Sequence, residues 1–394
     1  MEQKLNRRNW LRKGLLTLGT VGAAPHLFEG AFANTPLQLD KNNNIILSPN
    51  AKEYLTNSEG LPKGIFAKLN ANENPYGPPM SAQNAIKEAV VGGNRYAWKE
   101  MADLIGKISK KEGVSPDHIM MGPGSSDLLE KVAIVLFMKG GNIVSADPTY
   151  MSLIKVAESV GAKWKAVPCK NDWSHDLKAM EAAIDSETKL VYICNPNNPT
   201  GALTDAQELE DFCSRVSEKV PVFIDEAYLE LADGKTKSMV SLLGKKKNVI
   251  IARTFSKVMG MAGIRVGYVA ALPSFLEDIN KITRGGMGIS YTSILGATAA
   301  IDDKEFQDMS IKLNAEAKEY VYTELKKMGY SYIPSYTNFI LFPINMDGKD
   351  MLKKMTEKGV GVRAFQIQGK NYCRVSIGTM DEMKLFVKSF GEIS

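Results

Sequence analysis

Between residues 80 and 302, short apolar runs alternate with segments whose apolar positions recur at helical spacing. The runs fall near 142–145, 163–167, 189–194, 221–225, 248–252 and 265–270, and the helical segments near 81–91, 101–111, 125–137, 149–160, 176–184, 205–217 and 273–281. Strands that alternate with helices of this length predict a mainly parallel sheet covered on both faces. The pattern then changes to one long amphipathic helix at 304–328, with Phe306, Met309, Leu313, Tyr320 and Leu325 at helical spacing. Shorter elements follow: strands near 331–342, 361–364 and 372–377, and helices at 347–359 and 380–392. The expected fold class is α/β, with a mainly parallel central sheet in a large domain (79–302) and a smaller α+β domain (303–394). Residues 34–78 form an N-terminal arm that is polar and irregular up to about residue 64, and it is expected to pack with the small domain.

Composition changes this picture little. In 394 residues, 44% hydrophobic and 24% charged are ordinary globular values. The formal charge of +5 is partly a property of the first 33 residues, where Lys4, Arg7, Arg8, Arg12 and Lys13 face only Glu2 and Glu29. The remainder is too nearly neutral for a nucleic-acid surface, which needs a clustered basic face. That leader puts the twin arginine Arg7-Arg8 before an apolar stretch, Leu15 to Ala24, and ends in Ala31-Phe32-Ala33, a small-x-small cleavage site. It is similar to a bacterial Tat signal peptide, although Asn6 and Trp10 depart from the usual residues. It predicts export to the periplasm with cleavage after Ala33, and its apolar stretch is too short for stable membrane insertion. Four cysteines without metal-ligand spacing and only three histidines predict no metal site; the cysteines read as thiols without a disulfide.

Candidate chemistry sits at the carboxyl ends of successive apolar runs, where open α/β sheets bind ligands. Residues 189–194 run into Asn195-Pro196-Asn197-Asn198-Pro199-Thr200-Gly201. Val222-Phe223-Ile224 ends at Asp225-Glu226-Ala227-Tyr228. Val249 to Ala252 leads to Arg253-Thr254-Phe255-Ser256-Lys257, with Arg265 eight residues on. An asparagine, an aspartate with a tyrosine, and a lysine thus converge on one crevice.

With these motifs the sequence resembles the fold-type I pyridoxal 5'-phosphate (PLP) aminotransferases of class I/II, and within them the histidinol-phosphate aminotransferases. The resemblance also rests on Leu69-Asn70-Ala71-Asn72-Glu73-Asn74-Pro75-Tyr76-Gly77-Pro78, Asn94-Arg95-Tyr96, Gly122-Pro123-Gly124-Ser125-Ser126-Asp127, Asp147-Pro148-Thr149-Tyr150 and Arg374-Val375-Ser376-Ile377-Gly378-Thr379, and it spans about 65–390. It implies that Lys257 carries PLP covalently and moves the substrate proton, that Asp225 pairs with the ring nitrogen, that Asn198 and Tyr228 bind the ring oxygen, and that Tyr150 stacks on the ring. It assigns the cofactor phosphate to Ser125, Ser126, Thr254, Ser256 and Arg265, joined by Tyr96 from a neighbouring subunit of a homodimer with shared active sites. It assigns the α-carboxylate of an amino acid or 2-oxo acid to Arg374, a second anion to Arg363, and the far end of the substrate to Tyr76. The scaffold leaves open a PLP-dependent decarboxylase or C–S lyase, or a non-catalytic binding protein. One stretch departs from the family: the glycine-rich 283–290 is expected to line the substrate entrance in a different shape.

Overall fold

The structure is a computed structural model that describes residues 38–55, 64–283 and 285–394; the leader and its cleavage point lie outside the described residues. The arm contributes three short strands, β1 (Ile45–Ile46), β2 (Ala51–Tyr54) and β3 (Ala67–Lys68). Helices α1 (Met80–Ala89) and α2 (Trp98–Glu112) lead into β4 (Ile119–Gly122) and α3 (Ser125–Phe137). The alternation continues with β5 (Asn142–Asp147), α4 (Ser152–Ser159), β6 (Lys163–Pro168), α5 (Leu177–Ala182), β7 (Thr188–Cys194), α6 (Ala206–Val216), β8 (Val222–Asp225), β9 (Val249–Thr254) and β10 (Gly267–Ala270). After α7 (Pro273–Asn280) and α8 (Tyr291–Ala300), the long helix α9 (Lys304–Lys327) leads to β11 (Phe339–Pro343), α10 (Gly348–Glu357), β12 (Val360–Gly361), β13 (Arg363–Ile367), β14 (Lys370–Ser376) and α11 (Met380–Gly391). Among the described residues no helix is long and apolar enough to cross a membrane.

Seven strands form the central sheet in the order β4-β10-β9-β8-β7-β5-β6, parallel except for β10, which runs antiparallel to both neighbours. Both of its faces are buried, which is why its strands read as unbroken apolar runs. In β8, Val222 and Ile224 join a core with α2 and α6, while Phe223 points into a second core with α3 and α4. A five-stranded antiparallel sheet, β1-β2-β13-β14-β11, joins the arm to the C-terminal elements, with Phe365 of β13 opposite Glu53 of β2.

Three elements differ from the sequence reading. The arm is not irregular at 45–54: β2 acquires its conformation from pairing with β13, more than 300 residues away, which local pattern does not reveal. The expected strand at 331–342 is confined to Phe339–Pro343. Helix α8 was not anticipated because it is apolar around its circumference, packing on both α1 and α2. There Gly296 lies so close to Ile86 that a Cβ would meet its side chain at 2.8 Å.

Candidate active site

The central sheet aligns three strand ends in register: Cys194 pairs with Asp225, and Asp225 with Ala252. The backbone closes the row, with Asn195 N–H donating to the Asp225 carbonyl and Glu226 N–H to that of Ala252, both at 3.0 Å. Everything that follows these ends therefore lies on one rim. The rim borders a cavity of about 560 Å³ lined by Ser125, Ser126, Tyr150, Asn198, Asp225, Tyr228, Thr254, Ser256, Lys257, Arg265, Arg363 and Arg374. These are twelve of the fourteen residues singled out in the sequence.

Lys257 is half-buried, and its amine donates to the Asn72 carbonyl at 2.9 Å while lying 5.3 Å from the centre of the Tyr228 ring. Burial first, and then the Arg374 charge, push this amine down to about 8. Asp225 is fully buried; it accepts from Ala227 N–H at 3.1 Å and Tyr192 O–H at 3.3 Å. Burial raises its carboxyl to about 6, so at pH 7.5 it is still mostly a carboxylate. Its neighbour Glu226 turns away to pair with Arg253 at 3.2 Å and to accept from Met239 N–H.

One end of the cavity is built for an anion. Helix α3 starts at Gly124, with φ +86° and no side-chain cap, so its first amides face the cavity without an internal acceptor. A Cβ at Gly124 would overlap the Arg265 guanidinium, and one at Gly267 would overlap the Ser125 nitrogen. Only glycine permits this approach. Arg265 is steadied by the carbonyls of Ala262 at 2.8 Å and Pro123 at 3.3 Å, and the hydroxyls of Thr254 and Ser256 bond each other at 2.9 Å beside it. Uncapped amides, two hydroxyls and a guanidinium fit a phosphate; the lysine amine and the aspartate fit the ring of PLP.

The other end holds Arg374. Its guanidinium lies between the rings of Phe339 (5.2 Å) and Phe365 (5.5 Å), donates to Asn198 Oδ1 at 2.7 Å and contacts the Asn70 carbonyl at 3.4 Å. Its Nε is buried without a partner among the described residues. Burial, with Arg363 second, draws the guanidinium down to about 10. Arg363 Nε donates to the same Asn70 carbonyl at 2.8 Å, and Nη1 to Glu53 at 2.7 Å.

Two residues lie elsewhere. Tyr96 is 75% exposed, with its ring 5.6 Å from that of Trp98. Tyr76 lines a narrow cavity on the other side of Lys257, with Asn314 and Asn338, and its N–H donates to Asn74 Oδ1. None of the described residues of the glycine-rich segment lines the main cavity. Residues Gly285–Gly288 form a short turn against β4, where a Cβ on Gly286 would meet Met101 and Met121 at 3.1 Å.

Asn72 is the residue that motif reading passed over. It adopts φ +52°, which asparagine tolerates better than most side chains. Its Nδ2 donates to Tyr228 Oη at 3.1 Å, its Oδ1 accepts from Ser376 Oγ at 2.8 Å, and its carbonyl receives Lys257. The signal was present: an asparagine inside a quoted motif, where a left-handed backbone would be needed.

Comparison with known proteins agrees with this geometry. The family model described as aminotransferase class I and II matches residues 65–390. The histidinol-phosphate aminotransferase of Moorella thermoacetica is 36% identical over 335 residues, covering 83% of this chain and 85% of that protein. That of Caldicellulosiruptor saccharolyticus is 33% identical, covering 85% and 93%. The crystal structure of the Sinorhizobium meliloti histidinol-phosphate aminotransferase in complex with pyridoxal-5'-phosphate has a TM-score of 0.78 at 28% identity, covering 84% of this chain and 90% of that one. The strand-end residues, the phosphate cup and the reach of the match across both sheets have one common account: the chain belongs to the aminotransferase class I and II family, and its cofactor is PLP.

Proposed function

We propose that this chain moves an amino group from an amino acid or amino phosphate to a 2-oxo acid in two half-reactions around Lys257. The observation that carries the reading is one cavity holding a half-buried lysine amine drawn down to about 8, a buried carboxylate and an uncapped helix start. PLP, when bound, supplies an electron sink that makes the substrate's Cα–H bond labile. Lys257 would hold the cofactor between turnovers, and its amine, when not so engaged, would accept the substrate's Cα proton and give it back. An amine at the ordinary lysine value of about 10.4 would be saturated with protons at neutral pH and could not accept one.

Asp225 would pair with the ring nitrogen and favour a proton there. Asn198 and Tyr228 would hold the ring oxygen, and Tyr150 would cover the ring face. Ser125, Ser126, Thr254, Ser256 and Arg265 would hold the phosphate. Arg374 takes the substrate's anionic end; a buried Nε without a partner is what a fork built for an incoming anion presents. The named relatives support histidinol phosphate as one substrate to test.

The exposed Met80, Val90, Val91, Tyr96 and Trp98 support a homodimer in which Tyr96 reaches the partner's phosphate site. Light scattering should give twice the chain mass, and Tyr96→Phe should weaken cofactor retention. The leader supports Tat export, so mature protein should be found in the periplasm beginning near Asn34; cytosolic protein with residues 1–33 intact would overturn that.

The test is a panel of amino donors with 2-oxoglutarate and with other 2-oxo acids. Wild-type protein should release a new amino acid, and Lys257→Ala should lose at least about 10⁴-fold in rate. Carbon dioxide or ammonia release in place of transfer would replace the reading with decarboxylation or elimination.

A further inference from the structure

Three buried side chains form a hydrogen-bonded row that starts on the five-stranded sheet and ends at the main cavity. Ser376 closes β14, Asn72 follows it in the arm, and Tyr228 comes last, after β8. Asn72 and Tyr228 both line the cavity.

Each link has a direction, and counting hydrogens decides it. The Asn72 backbone N–H can only donate, and it donates to Ser376 Oγ at 2.8 Å. The Ser376 hydroxyl hydrogen then has one acceptor among the described residues, Asn72 Oδ1 at 2.8 Å. With the amide oxygen facing Ser376, the amide nitrogen faces Tyr228 and donates to Oη at 3.1 Å. The Tyr228 hydroxyl hydrogen has no acceptor among the described residues and is left for the cavity. Turning the amide over would reverse every link beyond it. Asn72 Nδ2 would donate to Ser376 Oγ, Oδ1 would take the Tyr228 hydrogen, and the serine hydrogen would be buried without an acceptor. An orphaned buried donor disfavours that arrangement by roughly tenfold. The backbone is held as well, since the Asn72 carbonyl receives Lys257.

We propose that Asn72, oriented by Ser376, is a positioning residue that makes Tyr228 a hydrogen-bond donor toward the cofactor's ring oxygen. This rests on the reading that Tyr228 holds that oxygen, and adds what sets the polarity of the contact. The ring oxygen carries negative charge, so a donor strengthens binding and a lone pair weakens it. The consequence runs against packing intuition. Deleting the Asn72 side chain leaves the tyrosine free to donate, whereas an isosteric carboxylate, which only accepts, captures its hydrogen.

The experiment measures the Kd of PLP by equilibrium dialysis and the pH midpoint of the visible band of the PLP-loaded protein. Tyr228→Phe sets the scale, with a Kd about tenfold weaker. It should also raise the midpoint, because a donor favours the form with more negative charge on the ring oxygen. Asn72→Gly should stay within about threefold of wild type, since glycine accepts φ +52° and keeps the carbonyl toward Lys257. Asn72→Asp should weaken PLP at least about tenfold and raise the midpoint. Repeating Asn72→Asp in the Tyr228→Phe background isolates the effect of the new charge, and the remaining coupling should be about fivefold. Ser376→Ala leaves either amide orientation with one unpaired group, so about half the molecules are misoriented and Kd should weaken two- to threefold. That loss should disappear when Asn72→Gly is also present, and Ser376→Thr should restore wild-type binding.

An Asn72→Gly protein as weak as Tyr228→Phe would overturn the proposal, as would Asn72→Asp with no coupling to Tyr228. Should Asn72→Asp not fold, Ser376→Ala decides: an effect seen with Asn72 and absent with glycine supports the proposal, and equal effects in both overturn it. A Tyr228→Phe protein with wild-type Kd and midpoint refutes the parent reading of Tyr228, and this one with it.

Discussion

The two ends of the cavity are made differently. At the phosphate end, position is dictated by backbone: an uncapped helix start, two glycines where a Cβ would collide, and short hydroxyl side chains next to a sheet whose strand ends are in register. At the substrate mouth, position depends on long charged side chains from three elements, Glu53, Lys155 and Arg363, two of them on a separate sheet. The first end tolerates almost no chemical change. The second can be retuned one side chain at a time.

The largest effect that would sharpen this contrast is at the shared centre. Asp225→Asn should cost about 10³-fold in amino transfer, because the ring nitrogen loses its charged partner. The same change should stabilise the cofactor-free protein. The buried carboxyl is raised to about 6, from an unfolded value of about 3.9. Between those values the folded chain holds more protons than the unfolded one, so stability present below about pH 4 is lost as pH rises through about 6. At pH 7.5 the substitution should therefore raise the Tm of the cofactor-free protein, while wild type and variant converge near pH 4. A Tm that falls at pH 7.5 would contradict the assignment.

At the phosphate end, Gly124→Ala should weaken PLP binding about 100-fold, read by equilibrium dialysis, since the methyl overlaps Arg265 and the residue must keep φ +86°. An unchanged affinity would break the claim that backbone governs this end. Ser376→Ala removes both hydrogen bonds that Ser376 makes with Asn72. It should lower kcat about tenfold with little change in KM, and shift the pH at which the Lys257 amine of the cofactor-free protein becomes reactive to acylation, mapped by mass spectrometry. The smallest effect belongs to the mouth. Glu53→Gln breaks the ion pair with Arg363, yet with the arginine 42% exposed the loss of stability should stay under about 1 kcal/mol in chemical denaturation.

What could be read from sequence follows the same division. The apolar runs of β7, β8 and β9 are buried on both faces, so their ends, and with them Asn198, Asp225 and Lys257, were legible from the pattern alone. Strand β2 was not, because its partner β13 lies more than 300 residues away and its own four residues carry no strong signal. For the same reason Glu53 and Lys155 attracted no notice: each is an ordinary surface-type residue until tertiary pairing brings it to the cavity. Tyr96 illustrates the other limit, since its expected role depends on a second subunit.

The Asn70 carbonyl receives hydrogen bonds from both Arg363 and Arg374. That oxygen acts as a fixed ruler. It belongs to the main chain, so no point substitution can delete it, and the spacing between the inner and outer guanidinium groups is protected from ordinary mutational drift. Descendants of this chain can change what lies opposite Arg363. They will find it hard to change how far it lies from Arg374.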